Sequence, residues 1–536
     1  MRNLVSPVNH GGPALCLLLL AVAASAAESF FVQTYSIHHA LTWESVRSMI
    51  NVPLLCIDVL SPLALALLSR RAFALFLVGQ TAISAVVLHY GSFFYNTLTL
   101  STIYHSMQGL SYLGGSAFVF VKPALLLLLA LVLAVKLLLV RLSAAPVMPC
   151  LWNLRGVAAV ICLMLVSVTV FWEHGRSGIL SLWTGEGPHR TAVDRRSQEG
   201  AKESVRSLGY LATWAGEWMG GVYKDTSLIY AEKRCPDPNV RFLERHPESV
   251  DAWCGCPLPP PFDRAALIQV ESLDYAAPFL IVNGERVMPF LHSLLSSSSL
   301  LLRAFAPHKV GSANSDYELL NGRVADQNVM YYSYIREYPD SVIREAAAMR
   351  PAVFHGLEGN LFNLRETYRL MGFDRTFFKE ELTDEGYPTS RLAMEQVADE
   401  HVLDAAARYL EEGGGRAVFV VTMSSHIPFM EPRPLFGPGR GLFFRYISSL
   451  RYVDECLADF YARLPEGALL ALWGDHGSDV SYPSDMTPNG RRVPFLLNVK
   501  GNDAWIAGRE NDVPQREFTL CSLSWLLRAV LRRAYP

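Results

Sequence analysis

Leu469-Leu470-Ala471-Leu472-Trp473-Gly474-Asp475-His476-Gly477 is an apolar, strand-like run that passes through one glycine into a carboxylate and an imidazole. A short continuous apolar run of this kind reads as a buried strand. Two others share its form. Ala265-Ala266-Leu267-Ile268-Gln269-Val270 runs into Glu271, and Ala417-Val418-Phe419-Val420-Val421-Thr422-Met423 reaches Ser424-Ser425-His426. Open α/β sheets place their ligands at the carboxyl ends of strands, so three such runs predict one site built from three strand ends.

Between the first and last of these runs lies His308-Lys309-Val310-Gly311-Ser312-Ala313-Asn314-Ser315-Asp316-Tyr317-Glu318. By itself a Gly-Ser pair in a polar loop is a turn. Beside carboxylates and imidazoles it gains another reading, because a hydroxyl becomes a useful nucleophile when a divalent metal stabilises its deprotonated form. Ser312, Glu271, Asp475 and His476 are the candidates for such a centre.

Around these segments strands alternate with helical stretches, which favours an α/β sheet. A helix is expected near Met288 to Leu295, opened at Pro289, and another from Ser315 to Leu320. Ile447, Leu450, Val453, Leu457 and Phe460 keep helical spacing over a segment that continues to Leu464. Arg492 to Val499 reads as a late strand and Leu520 to Leu531 as a final amphipathic helix. The outer domain therefore covers 264–536. Residues 173–263 form a polar linker with one amphipathic helix around 205–214, closed by Pro257-Leu258-Pro259-Pro260-Pro261, which can neither continue a helix nor pair in a sheet.

The 536 residues are 51% hydrophobic and only 18% charged. That apolar excess sits before residue 172, in five runs long enough to consider as membrane spans: 13–32, 50–69, 72–91, 122–141 and 156–172. The first run also fits a cleavable secretory signal, with Arg2, a Leu-rich stretch and Ala24-Ser25-Ala26; we favour a retained helix. Lys136, near the end of the fourth run, is expected to snorkel. Arg70, Arg71, Arg141 and Arg155 fall in short loops, whereas the long loop 92–121 has no basic residue. The positive-inside rule then puts everything after Trp172 outside. Expected is a multi-pass protein of the cell's inner (plasma) membrane, with residues 1–172 as the transmembrane domain and the catalytic domain extracytoplasmic or periplasmic.

A net charge of −3 with no basic stripe argues against nucleic acid as a partner. Of nine cysteines, Cys235, Cys254 and Cys256 crowd the linker, where oxidation predicts one disulfide from Cys235 to Cys254 or to Cys256. A Cys-x-Cys zinc site competes with that reading but lacks a histidine pair nearby.

Taken together, the ordered motifs resemble the lipoteichoic acid synthase family, in the sulfatase-like branch of the alkaline phosphatase superfamily. They are Gln269 to Leu273, Val282 to Leu291, the Ser312 segment, His355-Gly356, Phe362 to Arg365 with Gly372-Phe373-Asp374, Ser425 to Phe429, Arg451 to Glu455, and Gly474-Asp475-His476. The resemblance implies a sulfatase-like α/β domain behind about five membrane helices, and one divalent cation bound by Glu271, Asp475, His476 and the nucleophile. Manganese is the family's usual metal, while carboxylate and imidazole ligands also admit magnesium or zinc. The family's nucleophile is a threonine; the matching residue here is Ser312, with Ser315 as the alternative register.

The implied reaction moves a phosphoglycerol group from phosphatidylglycerol to an envelope glycan or glycerophosphate acceptor. Arg365 and His355 are expected at the substrate phosphate, and His426 at a phosphate oxygen or a proton in transit. Asn363 stands where the family has an aromatic residue, which bears on the contact with the glycerol head. Two alternatives use the same metal site, a phosphoethanolamine transferase and a sulfatase or phosphodiesterase. The first branch generally carries several linked disulfides, and 264–536 has only Cys456 and Cys521. The second expects Cys/Ser-x-Pro-x-Arg, which the Ser312 segment lacks. A non-catalytic module would have no reason to keep Glu271, Ser312, Asp475 and His476 together.

Overall fold

The structure is a computed structural model. It describes residues 11–38, 47, 52–94, 98–100, 103–104, 123–143, 210, 213–214, 218, 235, 237, 239–297, 299–306, 312–325, 332, 337–391, 395–427, 429, 436, 441–478, 480, 492–506 and 517–535. The chain divides into two compact units, Met1–His105 with Phe118–Asp225, and Ser106–Ala117 with Thr226–Pro536.

Among the described residues, the first unit contains four helices: α1 (Gly11–His38), α2 (Val52–Leu68), α3 (Arg70–Phe94) and α4 (Pro123–Leu142). Three have spans long and apolar enough to cross a membrane, Ala14–Tyr35, Arg70–Tyr90 and Pro123–Leu142. α2 is shorter, at 17 residues. The fifth expected run, 156–172, lies outside the described residues, as does most of 205–214.

Lys136 corrects an expectation. It does not snorkel; it is fully buried, and its Nζ meets Glu28 Oε2 at 2.6 Å and Thr81 Oγ1 at 3.1 Å. Ser84 Oγ completes the group by donating to Glu28 Oε1 at 2.8 Å. The reason is tertiary: α1 sets a carboxylate beside the lysine stem, and a paired ammonium need not reach water. Removing one partner of a buried pair strands the other, so Lys136→Ala is expected to destabilise this unit by about 3–5 kcal/mol. Thermal unfolding in detergent checks it, and replacing Glu28 and Lys136 together by leucine should recover most of the loss. Equal stability of Lys136→Ala and wild type would show that Glu28 finds another partner.

The second unit is built on an eight-stranded mixed sheet. Its strands are β1 (Ala265–Val270), β2 (Ser299–Phe305), β3 (Ala352–His355), β4 (Arg375–Phe377), β5 (Ala417–Val421), β6 (Leu469–Gly474), β7 (Arg492–Val499) and β8 (Phe518–Thr519). They lie in the order β8-β2-β7-β6-β1-β5-β3-β4. β1 is parallel to β5 and β6, and β3 to β5. β7 is antiparallel to both β6 and β2, so β2 again runs with β1.

Both faces of the sheet are covered, which is why its central strands are mostly apolar rather than alternating, Gln269 of β1 being the exception. Ile268, Leu472 and Val420 face a core shared with helices α5 (Pro289–Ser297), α8 (Asp399–Glu411) and α9 (Gly441–Arg463). Leu267, Phe419 and Trp473 face the opposite core, with α6 (Ser312–Asn321), α7 (Leu364–Met371) and α10 (Leu520–Leu531). The three-layer arrangement is the sulfatase-like α/β fold expected from the sequence, and the late strand and final helix stand where they were placed.

Part of the stretch read as linker is folded against this unit. Leu243 and Val250 lie in the α10-side core, and Cys235 is bonded to Cys521 of α10. Cys254 and Cys256 are bonded to each other. The expected pairing of Cys235 with Cys254 or Cys256 is thereby corrected. Helices Val240–Arg245 and Val250–Cys254 dock on α10, and that long-range packing brings Cys235 to a partner 286 residues away.

Candidate active site

Because β1, β2, β3, β5 and β6 run the same way, their carboxyl ends lie along one edge of the sheet. Glu271 follows β1, Thr422 to His426 follow β5, and Asp475 and His476 follow β6. His355 ends β3. Ser312, downstream of β2, opens α6, where the unpaired N–H groups of the first turn add positive potential. His308 to Gly311 lie outside the described residues.

Glu271, Asp475 and His476 are buried and each offers a ligand atom within 4.8 Å of the others. Ser312 Oγ donates to Glu271 Oε2 at 2.6 Å. Its rival in register is engaged elsewhere: Ser315 Oγ donates to the Asp475 carbonyl at 2.6 Å. Gly474 allows the close approach behind the cluster, since a Cβ there would sit 2.5 Å from the Leu273 carbonyl oxygen.

Ser272, not among the residues predicted for the site, is left-handed at φ 55°. Three hydrogen bonds hold it there: its N–H donates to Asp475 Oδ1 at 2.8 Å, its Oγ to Glu271 Oε1 at 2.7 Å, and its carbonyl accepts from Tyr446 Oη at 2.8 Å. The serine therefore ties two acidic groups to one backbone turn. Ser425 Oγ likewise donates to the Glu271 carbonyl at 2.6 Å, and Asp399 accepts the N–H groups of Met423 and Ser424 at 2.8 and 2.9 Å, shaping the loop that carries His426.

The electrostatics follow from burial and crowding. Burial pulls the Glu271 carboxyl upward, but the His426 and His476 charges and the Ser312 and Ser272 hydrogen bonds outweigh it and hold the group down to about 2. Burial and the Glu271 charge push Asp475 up to about 8. Unaided, the pocket carries one negative charge comfortably and resists a second.

The donor set fits a divalent cation. Asp475 Oδ2 is buried and accepts no hydrogen bond. His476 Nδ1 lies 3.0 Å from the Gly477 carbonyl, so it holds one proton there, and Nε2, facing Glu271 Oε1 and Asp475 Oδ2 both at 3.5 Å, is the atom that would exchange its proton for a cation. A ring N–H fixed on a backbone carbonyl is the usual support of a metal-ligating imidazole. Three electron-rich atoms facing one another call for a positive centre.

The remaining candidates are less alike. His426 Nδ1 is 2.6 Å from the Ile427 carbonyl, which leaves its Nε2 as the basic atom. His355 is buried, its pKa lowered to about 4 by burial against the pull of Glu271, and its Nδ1 accepts the Leu357 N–H at 3.1 Å. It is a neutral imidazole, stacked on Phe378. Arg365 does not touch the cluster among the described contacts. Its guanidinium bonds Glu381 at 2.6 Å and Glu380 at 3.2 Å and lies over the Phe378 ring. Asn363 is left-handed at φ 66° and donates to the Tyr332 carbonyl, so it starts α7.

Residues 266–516 match the sulfatase family. The chain is 25% identical over 260 residues to a lipoteichoic acid synthase-like protein, YvgJ, of Bacillus subtilis (strain 168), covering 41% of this chain and 40% of that protein. The match thus spans well under half of that relative's length. Among solved structures, the integral membrane lipooligosaccharide phosphoethanolamine transferase A (EptA) of Neisseria meningitidis is similar with a TM-score of 0.53 and 14% identity, over 96% of this chain and 95% of that one. The lipoteichoic acid synthase LtaP of Listeria monocytogenes is similar with a TM-score of 0.43 and 17% identity, over 53% of this chain and 78% of that one.

Proposed function

We propose, for a chain that carries a sulfatase domain over residues 266–516 and is related to the lipoteichoic acid synthases, a membrane-anchored phosphoglycerol transferase. The donor is phosphatidylglycerol, and the acceptor is a hydroxyl of an envelope glycan or glycerophosphate polymer. The observation that carries this reading is the 2.6 Å hydrogen bond from Ser312 Oγ to Glu271 at the edge of the Glu271, Asp475 and His476 cluster.

Glu271, Asp475, His476 and Ser312 Oγ would hold one divalent cation, manganese by the family's habit. A bound cation lowers the pKa of a hydroxyl and offsets phosphoryl charge. Glu271 orients Ser312 Oγ by accepting its proton in a hydrogen bond. Ser312 Oγ, its proton lost to solvent as a bound cation would favour, attacks the donor's phosphorus; the bond to the diacylglycerol oxygen breaks, phosphoglycerol remains as an ester on Ser312, and the serine leaves again as the alkoxide when the acceptor takes the group. His426 Nε2 supplies a proton to the departing diacylglycerol oxygen and later removes one from the acceptor hydroxyl, which takes the group and frees Ser312. His355 lines the same edge as a neutral imidazole. Arg365 reaches phosphate oxygens only by exchanging its ion pairs with Glu380 and Glu381.

The membrane helices suit a lipid donor, since each methylene moved into water costs about 0.8 kcal/mol. Tethering the site at the outer face of the bilayer removes that transfer.

The test is purified protein in detergent with manganese and fluorescent phosphatidylglycerol, beside phosphatidylethanolamine. Diacylglycerol is expected from phosphatidylglycerol alone. Release from phosphatidylethanolamine alone would move the reading to the phosphoethanolamine branch, and release from neither would sink the lipid donor.

A further inference from the structure

Beneath the cluster lies a second set of buried polar groups for which the transfer reaction has no use. Trp473 Nε1 donates to Gln269 Oε1 at 2.9 Å across the paired strands β6 and β1. Each of these residues stands two positions before a cluster acid, Trp473 before Asp475 and Gln269 before Glu271. Asp316, one helical turn after Ser312 on α6, is buried, and the Tyr368 hydroxyl of α7 donates to its Oδ2. Burial pushes the Asp316 carboxyl up to about 7, against the pull of the Tyr368 hydroxyl and of the Gln269 amide that lies beside it. Gln269 Nε2 and Asp316 Oδ1 are both buried without a completed hydrogen bond of their own.

A buried carboxylate between a sheet and two helices is expensive, and an apolar side chain would pack there at less desolvation cost. What a carboxylate adds is direction. Its oxygens face a phenol on α7 and an amide on β1, and the spacing of four residues puts it on the same side of α6 as Ser312.

We propose that Asp316 is a positioning residue, which through Tyr368 and Gln269 sets where α6 presents Ser312 Oγ to the strand ends bearing Glu271 and Asp475. The inference rests on the transferase reading given above. Along this chain of contacts, β6, β1, α6 and α7 share one alignment, and a slip of α6 is felt at Ser312 before it is felt at the strand-borne groups Glu271, Asp475 and His476.

The experiment is single-turnover formation of the phosphoglycerol ester on full-length protein, followed by intact mass, with KM, manganese affinity by calorimetry and the unfolding midpoint measured alongside. Asp316→Asn keeps the volume and one acceptor; Tyr368→Phe removes only the phenol. Each should slow ester formation by about 10- to 100-fold, the effect of a small misplacement, while KM and manganese affinity stay within about twofold. The double variant should be no slower than the worse single one. Ester formation at the wild-type rate in both single variants overturns the proposal. So does a loss that tracks weaker manganese binding or a lowered midpoint, which would mark Asp316 as merely structural. If wild-type protein forms no ester at all, the transferase reading falls, and this proposal with it.

Discussion

Ser312→Ala is expected to lower the transfer rate by roughly 10⁴- to 10⁶-fold, the scale seen when a covalent nucleophile is deleted. Two serine hydroxyls reach Glu271, Ser312 at 2.6 Å and Ser272 at 2.7 Å; Ser272 is buried and tied into its turn, whereas Ser312 is only half-buried and can meet a substrate. Ser315 is buried with its hydroxyl directed to the Asp475 carbonyl, so it cannot take over without disturbing a ligand. The fold should survive, because Ser312 is half-buried at the start of α6 and alanine leaves little cavity. Intact mass after a brief incubation with phosphatidylglycerol should show a phosphoglycerol ester on wild-type protein and none on the variant. An ester that persists in Ser312→Ala, or that maps to Ser315, would refute the assignment. Ser312→Thr is a useful companion, since it restores the family's usual nucleophile.

The second large effect belongs to Asp475. Its Oδ1 accepts the N–H groups of Ser272 at 2.8 Å and His476 at 2.6 Å, and its Oδ2 has no hydrogen bond. One oxygen thus shapes the turn, and the other is placed where the proposed cation would bind. A ligand that binds only the folded state stabilises it by about 2.7 kcal/mol at a hundredfold excess over its Kd. For a domain of this size that is an upward shift of roughly 5–10 °C in unfolding midpoint. Manganese should produce such a shift in wild type and almost none in Asp475→Ala, with activity lost as well. Because each protein is compared with and without metal, any change in intrinsic stability cancels. An equal shift in the variant would show that the cation binds elsewhere.

Much of the site could be read before the fold was known because its parts are local. β5 and β6 are unbroken apolar runs and β1 is interrupted only by Gln269, as suits strands covered on both faces, and each stops at a polar residue where the chain leaves the sheet. The stripe in α9 was equally plain. What escaped depends on neighbours remote in sequence. Cys235 meets Cys521 only after two short helices dock on α10, and Lys136 is buried because α1 supplies Glu28. Ser272 looked like an ordinary residue after a strand; its left-handed backbone makes sense only with Asp475 and Tyr446 in place. Arg365 was legible as a cation, but its engagement with Glu380 and Glu381 was not, since adjacent glutamates at the start of a short helix look like any solvated turn.

Phe262, where the chain enters the sheet domain, bridges to Ala534, and the Tyr535 N–H donates to the Phe262 carbonyl at 2.9 Å. With Cys235 bonded to Cys521, the incoming segment is fastened at both ends of α10. The incoming segment and the last helix thus share one covalent and hydrogen-bonded seam. A reporter fused after Tyr535 will emerge beside the incoming chain at Phe262. Tension applied along the chain is borne by the seam instead of by the strands that hold Glu271 and Asp475.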